Sequence, residues 1–267
     1  MSTTTTPATT TIPIDNDRPL ANLPPAGTVL SSLLKADLTA QWRNRRASLL
    51  VILIPSIILI SWKGLVDKFG GAFALSNCIT VGLNAIGLMG YTNAIARDRD
   101  KGIFQRLRVT PAPRWTIIVS RLIVQLVMIM ITTLVLFYIG YQIDHIKLGV
   151  ADYVFAFLAA ILGGAVYLAL GQMIVGLVKN PEMVNVTTRL VFFAFIMIGQ
   201  FASFGMLGDV WGKVADWSPY GTTKNLIASA LTPGSWTSTN YMNLLGNLGY
   251  TLVFTTMGVR WFRWSTK

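Results

Sequence analysis

The sequence predicts an all-α membrane protein with six transmembrane helices, and two observations support this prediction. Of the 267 residues, 53% are hydrophobic and only 12% are charged, whereas a soluble domain carries about 25% charged residues. So much apolar surface cannot be buried in one soluble core of this length. The apolar residues also fall into six stretches near the length that a spanning helix needs: about 47–62, 72–96, 115–140, 153–178, 190–207 and 243–259.

The distribution of positive charge predicts the orientation of these spans. The chain has 22 Lys and Arg residues against 11 Asp and Glu, which gives a net charge of +11. If the amino terminus is inside, the outer segments hold only five of the basic residues, namely Lys63, Lys68, Lys147, Lys213 and Lys224. Lys and Arg are enriched in cytoplasmic loops, so we expect both termini in the cytoplasm of a plasma-membrane protein. The basic composition then requires no nucleic-acid partner.

Two segments precede the first span. Residues 1–30 are rich in Thr and Pro and have no apolar periodicity, which predicts a disordered cytoplasmic tail. Within residues 31–46, apolar side chains that include Leu38 and Trp42 recur at helical spacing among basic residues. This pattern is typical of a helix that lies in the membrane interface. The membrane domain is therefore predicted to cover residues 31–264.

The predicted cytoplasmic loop between spans two and three, residues 97–114, has the features of a docking element. Alternating charges are followed by a small apolar patch and by the Thr110-Pro111 turn. A short helix with an apolar face and charged flanks suits the docking of another protein, while the alternative is a basic loop that rests on anionic lipid. The candidate docking residues are Arg97, Arg99, Lys101, Gly102, Ile103, Phe104, Arg106 and Leu107.

With its spans and interfacial helix, the chain resembles the permease subunits of the ATP-binding-cassette (ABC) type-2 exporters over about residues 31–264. Asp100-Lys101-Gly102-Ile103 and Thr110-Pro111 match that family's basic–glycine–hydrophobic step and Thr-Pro turn, although Gln105 stands where an acid is frequent. The resemblance implies that the interfacial helix is an elbow helix and that 97–109 is a coupling helix seated on a separate ATPase. Two permease chains and two cytoplasmic ATPase subunits would form the exporter. ATP and Mg²⁺ would bind to the ATPase, and this chain would bind no cofactor.

The sequence carries no motif for ATP hydrolysis or other catalysis. It has no G-x-x-x-x-G-K-[ST] phosphate loop, and the nearest string, Gly208 to Val214, has one residue too few between its glycines. His145 is the only histidine, and no catalytic or metal-ligand motif surrounds it. We therefore predict a transport subunit and not an enzyme.

The outer loop 208–242 is dense in aromatic residues, which favour the membrane interface. Its Ser218-Pro219-Tyr220 sequence, after Ser203-Phe204-Gly205, resembles the re-entrant helices that the exporter family places between spans five and six. The resemblance implies an outer gate, while the alternative is an interfacial cap without a gating role. The candidate gate residues are Trp211, Trp217, Pro219 and Tyr220.

Amide and hydroxyl side chains occur within the predicted spans. Such groups need a hydrogen-bond partner in hydrocarbon, so each either packs against a neighbouring helix or lines a translocation pathway. The candidates are Asn77, Asn84, Gln125, Gln172, Gln200, Ser203, Asn243 and Asn247.

We therefore expect the permease subunit of an ATP-driven exporter that moves an amphipathic small molecule, such as a drug, an antibiotic or a lipid-like compound, by alternating access. The near absence of charge deep in the spans argues against proton coupling. A permease for a polysaccharide or lipid-linked glycan is an alternative, with pathway tyrosines at Tyr138, Tyr141, Tyr153 and Tyr167. A non-transporting scaffold or a membrane enzyme is the alternative from another class.

Overall fold

The computed structural model describes residues 25–43, 45–103, 114–143, 145–146, 148–232, 234 and 236–261. Within these residues the chain is helical and contains no β-strand. The predicted all-α fold class is therefore confirmed.

The described chain begins with three helices of different character. Helix α1 spans Ala26–Arg43 and has no buried residue. It is followed by α2 (Arg45–Ser61) and the short α3 (Lys63–Phe69). The axes of Ala26–Arg43 and Ser48–Ser61 meet at 61°, as expected where an interfacial helix turns into a span.

The start of α1 corrects the predicted boundary between tail and interfacial helix. The carbonyl of Pro25 accepts hydrogen bonds from the amides of Thr28 and Val29 at 2.9 and 3.2 Å. The helix therefore begins directly after the proline pair, and residues 26–30 are helical instead of disordered. The rest of the predicted tail lies outside the described residues. At its other end α1 stops at Arg43, three residues before the predicted boundary.

The second apolar stretch forms one helix of 30 residues, Gly71–Asp100. It consists of α4 (Gly71–Asn84), a π-helical segment (Ala85–Thr92) and α5 (Asn93–Asp100). In the π-helical segment the hydroxyl of Thr92 donates to the carbonyl of Gly87 at 2.8 Å. Such wider turns are frequent at functional sites. This one packs against the helix formed by the fourth apolar stretch.

Three long helices follow: α6 (Arg114–Gln142), α7 (Val150–Leu177) and α8 (Pro181–Ser203). Helix α8 begins nine residues before the apolar stretch 190–207 and four residues before Asn185, near which the sequence predicts the start of this span. Asn180 caps it by accepting a hydrogen bond from the amide of Glu182 at 2.8 Å, and Pro181 occupies the first turn. This Asn-Pro start is a strong local signal, but it precedes the apolar run and so is missed by hydropathy.

Two short helices and a last long one complete the described chain: α9 (Gly208–Asp216), α10 (Pro219–Ala230) and α11 (Ser238–Trp261). The core lies between α4, the π-helical segment, α6, α7 and α10, and α11 packs along α7. Helix α8 lies at the edge, because only 17% of its most apolar stretch is buried, against 83% for Gly71–Asp100.

Four helices in the described residues are long and apolar enough to cross a membrane: Gly71–Asp100, Trp115–Gln142, Val150–Leu177 and Pro181–Ser203. The bent pair of Ala26–Arg43 and Ser48–Ser61 is a fifth candidate. The protein is thus a multi-pass helical membrane protein with four or five candidate spans.

Candidate functional site

The described part of the predicted docking loop lies at the end of α5. Arg97, Asp100 and Lys101 are exposed, and the chain turns at Gly102, which has a φ of 68°. This left-handed conformation favours glycine. Ile103 is the last described residue before the gap, so Phe104, Arg106 and Leu107 lie outside the described residues. Their docking role stays a prediction.

Arg99 does not fit its predicted place among the docking residues. Its side chain is buried, with 2% of the residue exposed. Its guanidinium donates to the carbonyls of Val175, Val178 and Lys179 at 2.7, 2.7 and 2.8 Å. Those carbonyls lie at and beyond the carboxyl end of α7, where intrahelical donors are lacking. Arg99 therefore binds another part of this chain in the described conformation.

An ionic junction formed by Asp37, Asp98 and Arg121 joins α1, α5 and α6 at one end of the bundle, which the predicted topology places inside. Arg121 Nη2 lies 2.8 Å from Asp98 Oδ2, and its Nε lies 3.3 Å from Asp37 Oδ1. The hydroxyl of Ser120 also donates to Asp37 at 2.6 Å. The junction borders a cavity of about 240 Å³ that Gln125 and Lys101 also line.

The predicted pathway residues in the spans are mostly buried between helices of this chain. Six of the eight are at least nine-tenths buried: Asn77, Asn84, Gln125, Gln172, Asn243 and Asn247. Gln172 accepts a hydrogen bond from the hydroxyl of Tyr91 at 2.6 Å, and Asn247 accepts one from Thr223 at 2.9 Å. The amide of Asn84 donates to the carbonyl of Phe192 at 3.4 Å. These contacts are of the helix-packing kind.

The structure brings four of the candidates together with Lys224 of the predicted outer loop, in a group that we call the outer polar cluster: Asn77, Gln200, Ser203, Tyr220 and Lys224. Ser203 Oγ lies 3.3 Å from Asn77 Oδ1 and accepts a hydrogen bond from the Lys224 ammonium at 3.2 Å. The amide of Gln200 donates to the hydroxyl of Tyr220 at 3.3 Å. The cluster therefore connects α10 with α4 and α8.

Lys224 is the charged member of this cluster. Burial lowers the pKa of its ammonium, and Asp216, whose carboxylate lies 3.9 Å away, partly offsets that effect. This partly desolvated ammonium has one hydroxyl at hydrogen-bond distance and one carboxylate farther away, so it has spare hydrogen-bonding capacity. Sequence reasoning missed Lys224 because it treated the residue only as a charge of the outer loop.

The predicted gate residues occupy two different environments. Trp211 and Trp217 are more than half exposed, on and just after α9, whereas Pro219 and Tyr220 are buried in the first turn of α10. The ring of Tyr220 fills the space beside Gly199 on α8 that a Cβ atom would occupy. A movement of α10 against α8 would therefore change the contacts of the buried pair, Pro219 and Tyr220.

An apolar cleft of about 380 Å³ lies between α6, α7, α11 and the π-helical segment. Its lining is mainly aliphatic, and Tyr91, Gln172 and two threonines are the polar residues. The side-chain nitrogen of Gln172 is buried and has no hydrogen-bond partner. The cleft thus offers a mostly apolar surface with a few polar groups, as small-molecule sites usually do.

Arg121 is the other functional candidate that sequence reasoning missed. It falls inside the predicted apolar stretch 115–140, where a single charge requires a partner. That signal was available in the sequence, but the partners Asp37 and Asp98 could be identified only from the fold.

Helices of membrane-spanning length, joined at one end of the bundle by a charged junction, define a multi-pass helical membrane protein. The sequence profile of the ABC-2 type transporters matches residues 28–231, which extend from the third residue of α1 to just after α10. Because this match covers most of the chain, the protein belongs to the ABC-2 type transporter family, the membrane permeases of ABC transporters. Among curated proteins, no significant match was found.

Proposed function

We propose that this chain is the permease subunit of an ATP-driven exporter for an amphipathic small molecule. The observation that carries the substrate class is the apolar cleft between α6, α7 and α11. Its volume of about 380 Å³ and its mostly aliphatic lining suit an apolar body, while Tyr91 and Gln172 offer a polar contact. A drug, an antibiotic or a lipid-like compound has this combination of surfaces.

In this proposal α2 and α11 complete six spans, and both termini lie in the cytoplasm. Helix α11 has 24 residues, about 36 Å at 1.5 Å per residue, which is long enough to cross the hydrocarbon core. Its hydropathy is lowered by Asn240, Asn243 and Asn247, all of which are buried within the chain. Helix α2 has 17 residues and an exposed apolar surface. The charge distribution in the sequence supports the same topology.

The proposed exporter contains a second permease chain, identical or related, and two cytoplasmic ATPase subunits that bind ATP and Mg²⁺. The edge helix α8 offers a continuous apolar face to lipid or to the second permease: Met183, Val186, Leu190, Phe193, Met197 and Phe201 are all exposed. The segment after Arg97 would seat on the ATPase, and movement there would drive alternating access. The outer polar cluster and Tyr220 would form the gate on the other side.

A glycan permease is the weaker candidate for this site. The four tyrosines that would line its pathway differ widely in exposure. Tyr138 and Tyr141 are more than half exposed, Tyr167 is buried, and Tyr153 donates to the carbonyl of Ile146 at 3.2 Å. An aromatic surface for sugar rings would need them on a shared face.

The proposal is tested by reconstituting the chain with a co-purifying ATPase and measuring ATP-dependent uptake of a fluorescent amphipathic amine into inverted vesicles. Ala165→Leu adds bulk inside the cleft, and we expect it to raise the concentration for half-maximal uptake. Ala194→Leu is the matched control, because Ala194 lies on the exposed face of α8.

Equal uptake by the parent, Ala165→Leu and Ala194→Leu would remove the cleft from the substrate route. Stimulation of ATP hydrolysis by a lipid-linked glycan, but by no amphipathic amine, would favour the glycan permease. If no ATPase co-purifies and the chain shows no uptake, the transport proposal is wrong.

A further inference from the structure

The charged run Arg97-Asp98-Arg99-Asp100 is divided between the outside and the inside of the protein. Arg97 and Asp100 are exposed, whereas Arg99 is buried and Asp98 is partly buried in the ionic junction. Sequence reasoning treated the run as one docking surface. The structure separates the residues that could reach a partner from those that contact the spans.

The contact of Arg99 joins the end of α5 to the end of α7. Its two terminal nitrogens donate three hydrogen bonds of 2.7–2.8 Å to the carbonyls of Val175, Val178 and Lys179. Hydrogen bonds from a charged donor are stronger than neutral ones, and a cation is favoured at the negative carboxyl end of a helix. The planar guanidinium is suited to such multiple contacts, which a lysine cannot reproduce.

The same two helical segments touch at two further levels. The Tyr91 hydroxyl donates to Gln172 at 2.6 Å. A Cβ atom on Gly171 would overlap Thr92 Oγ1 and lie 2.9 Å from the Gly87 carbonyl, so the two backbones approach closely. From Gly87 to Arg99 the inner half of span two is therefore attached to α7 along its length.

We propose that Arg99 is a positioning residue that transmits movement of the segment after Asp100 to α7, and that it is not itself a contact for the ATPase. This inference rests on the proposed function, because it assumes that an ATPase moves the segment. Asp98 performs the corresponding role toward α1 and α6, through its contact with Arg121, which also binds Asp37. A displacement at the cytoplasmic surface thus reaches α7 through Arg99 and reaches α1 and α6 through Asp98.

The test compares Arg99→Gln with Arg97→Gln, which removes the same charge from an exposed position of the same helix. Three quantities are measured on the reconstituted complex: ATPase co-purification, ATP hydrolysis, and uptake per ATP hydrolysed. For Arg99→Gln we expect normal co-purification, hydrolysis within about twofold of the parent, and uptake per ATP reduced by about tenfold, since charge-assisted hydrogen bonds are lost. For Arg97→Gln we expect weaker co-purification and unchanged uptake per ATP.

A second measurement reports on the contact without any ATPase. Hydrogen exchange of the purified chain should become faster at residues 174–180 in Arg99→Gln and stay at the parent rate in Arg97→Gln. Arg99→Lys keeps the charge but not the planar fork, so its exchange and its uptake per ATP should lie between those of the parent and Arg99→Gln. If Arg99→Gln does not fold, Arg99→Lys provides the same comparison.

The inference is overturned if the parent transports and Arg99→Gln weakens ATPase co-purification while uptake per ATP stays at the parent value. Unchanged hydrogen exchange at residues 174–180 would also overturn it. A parent that binds no ATPase and does not transport would instead contradict the proposed function, so the two failures are distinguishable.

Discussion

At the scale of single residues, Gly199 and Tyr220 show how the absence of a side chain positions a candidate gate. The ring of Tyr220 is 1% exposed and occupies the volume where a Cβ atom on Gly199 would lie. Its hydroxyl accepts a hydrogen bond from Gln200, the neighbour of that glycine. Size at position 199 therefore controls how closely α10 packs against α8.

We predict that Gly199→Ala displaces Tyr220 and destabilises the protein by about 1–3 kcal/mol, the usual cost of overpacking. Thermal unfolding of the purified chain in detergent measures the change. Gly212→Ala is the control, because no heavy atom lies within 4 Å of the added methyl group. An unchanged midpoint for Gly199→Ala would show that Tyr220 can leave its position without loss of stability.

At the scale of helices, α1 is attached to the bundle by the ionic junction as well as by apolar packing of Leu33. It has no buried residue, and Asp37 forms its contacts with Ser120 and Arg121. The two side chains of the Asp37–Arg121 pair are 12% and 22% exposed, so solvent screens the pair only in part. The position of the predicted elbow helix thus depends in part on a small number of polar contacts.

We expect Asp37→Asn to loosen α1 without unfolding the spans. Losing a partly buried ion pair costs on the order of 1 kcal/mol, which should raise hydrogen exchange of residues 26–43 several-fold at low salt. Lys35→Gln changes an exposed charge on the same helix and should leave exchange at the parent rate. If both variants exchange alike, the ionic junction does not hold α1.

The contact between the π-helical segment and α7 depends on small residues on both sides. Gly171 faces Thr92 and the carbonyl of Gly87, while Gly87 faces the backbone of Tyr167. Since backbone atoms cannot move aside as a flexible side chain can, the contact tolerates no added carbon. The wider turn of span two brings Thr92 into this contact, where its hydroxyl bonds to Gly87.

We predict that Gly171→Ala lowers the free energy of unfolding by about 1–3 kcal/mol. Gly249→Ala should not lower it. Gly249 lies on α11 with open space around it. Midpoints of thermal unfolding compare the two directly. A Gly171→Ala protein as stable as its parent would mean that span two and α7 separate easily, which would also weaken the argument for Arg99.

At the scale of the whole molecule, one end of the bundle carries the charged groups and the other end carries the short helices. The ionic junction and Arg99 lie at the first, and α9, α10 and the outer polar cluster lie near the ends of α4 and α8. The two ends are connected by the helix Gly71–Asp100 and by α7. This arrangement allows a signal to pass from one surface to the other through continuous helices.

The proposed topology predicts opposite labelling of two new cysteines in a Cys78→Ser background. In intact cells, a membrane-impermeant maleimide should label Gly212→Cys on α9 and should not label Glu182→Cys at the start of α8. Both positions are away from the core. Permeabilised cells provide the control, since both cysteines should then react. Labelling of Glu182→Cys in intact cells would contradict an inside amino terminus with six spans.

Composition and periodicity predicted the fold class and the approximate position of the long helices, while the Asp100–Ile103 and Thr110-Pro111 motifs carried the family resemblance. These are linear properties, because apolar length sets which segments can cross hydrocarbon. They also placed Asn77, Gln200, Ser203 and Tyr220 among the candidates that the fold brings together.

Only the tertiary structure decided which members of each candidate set face inward. Arg97 and Arg99 are equivalent in the sequence, yet one is exposed and the other is buried. Trp211 and Tyr220 were both predicted for the gate, yet Trp211 is exposed and Tyr220 is buried against Gly199 of α8. The reason is physical: burial of Arg99 is stable only because the carboxyl end of α7, some 76 residues away, supplies carbonyls without partners. No property of residues 97–100 alone contains that information.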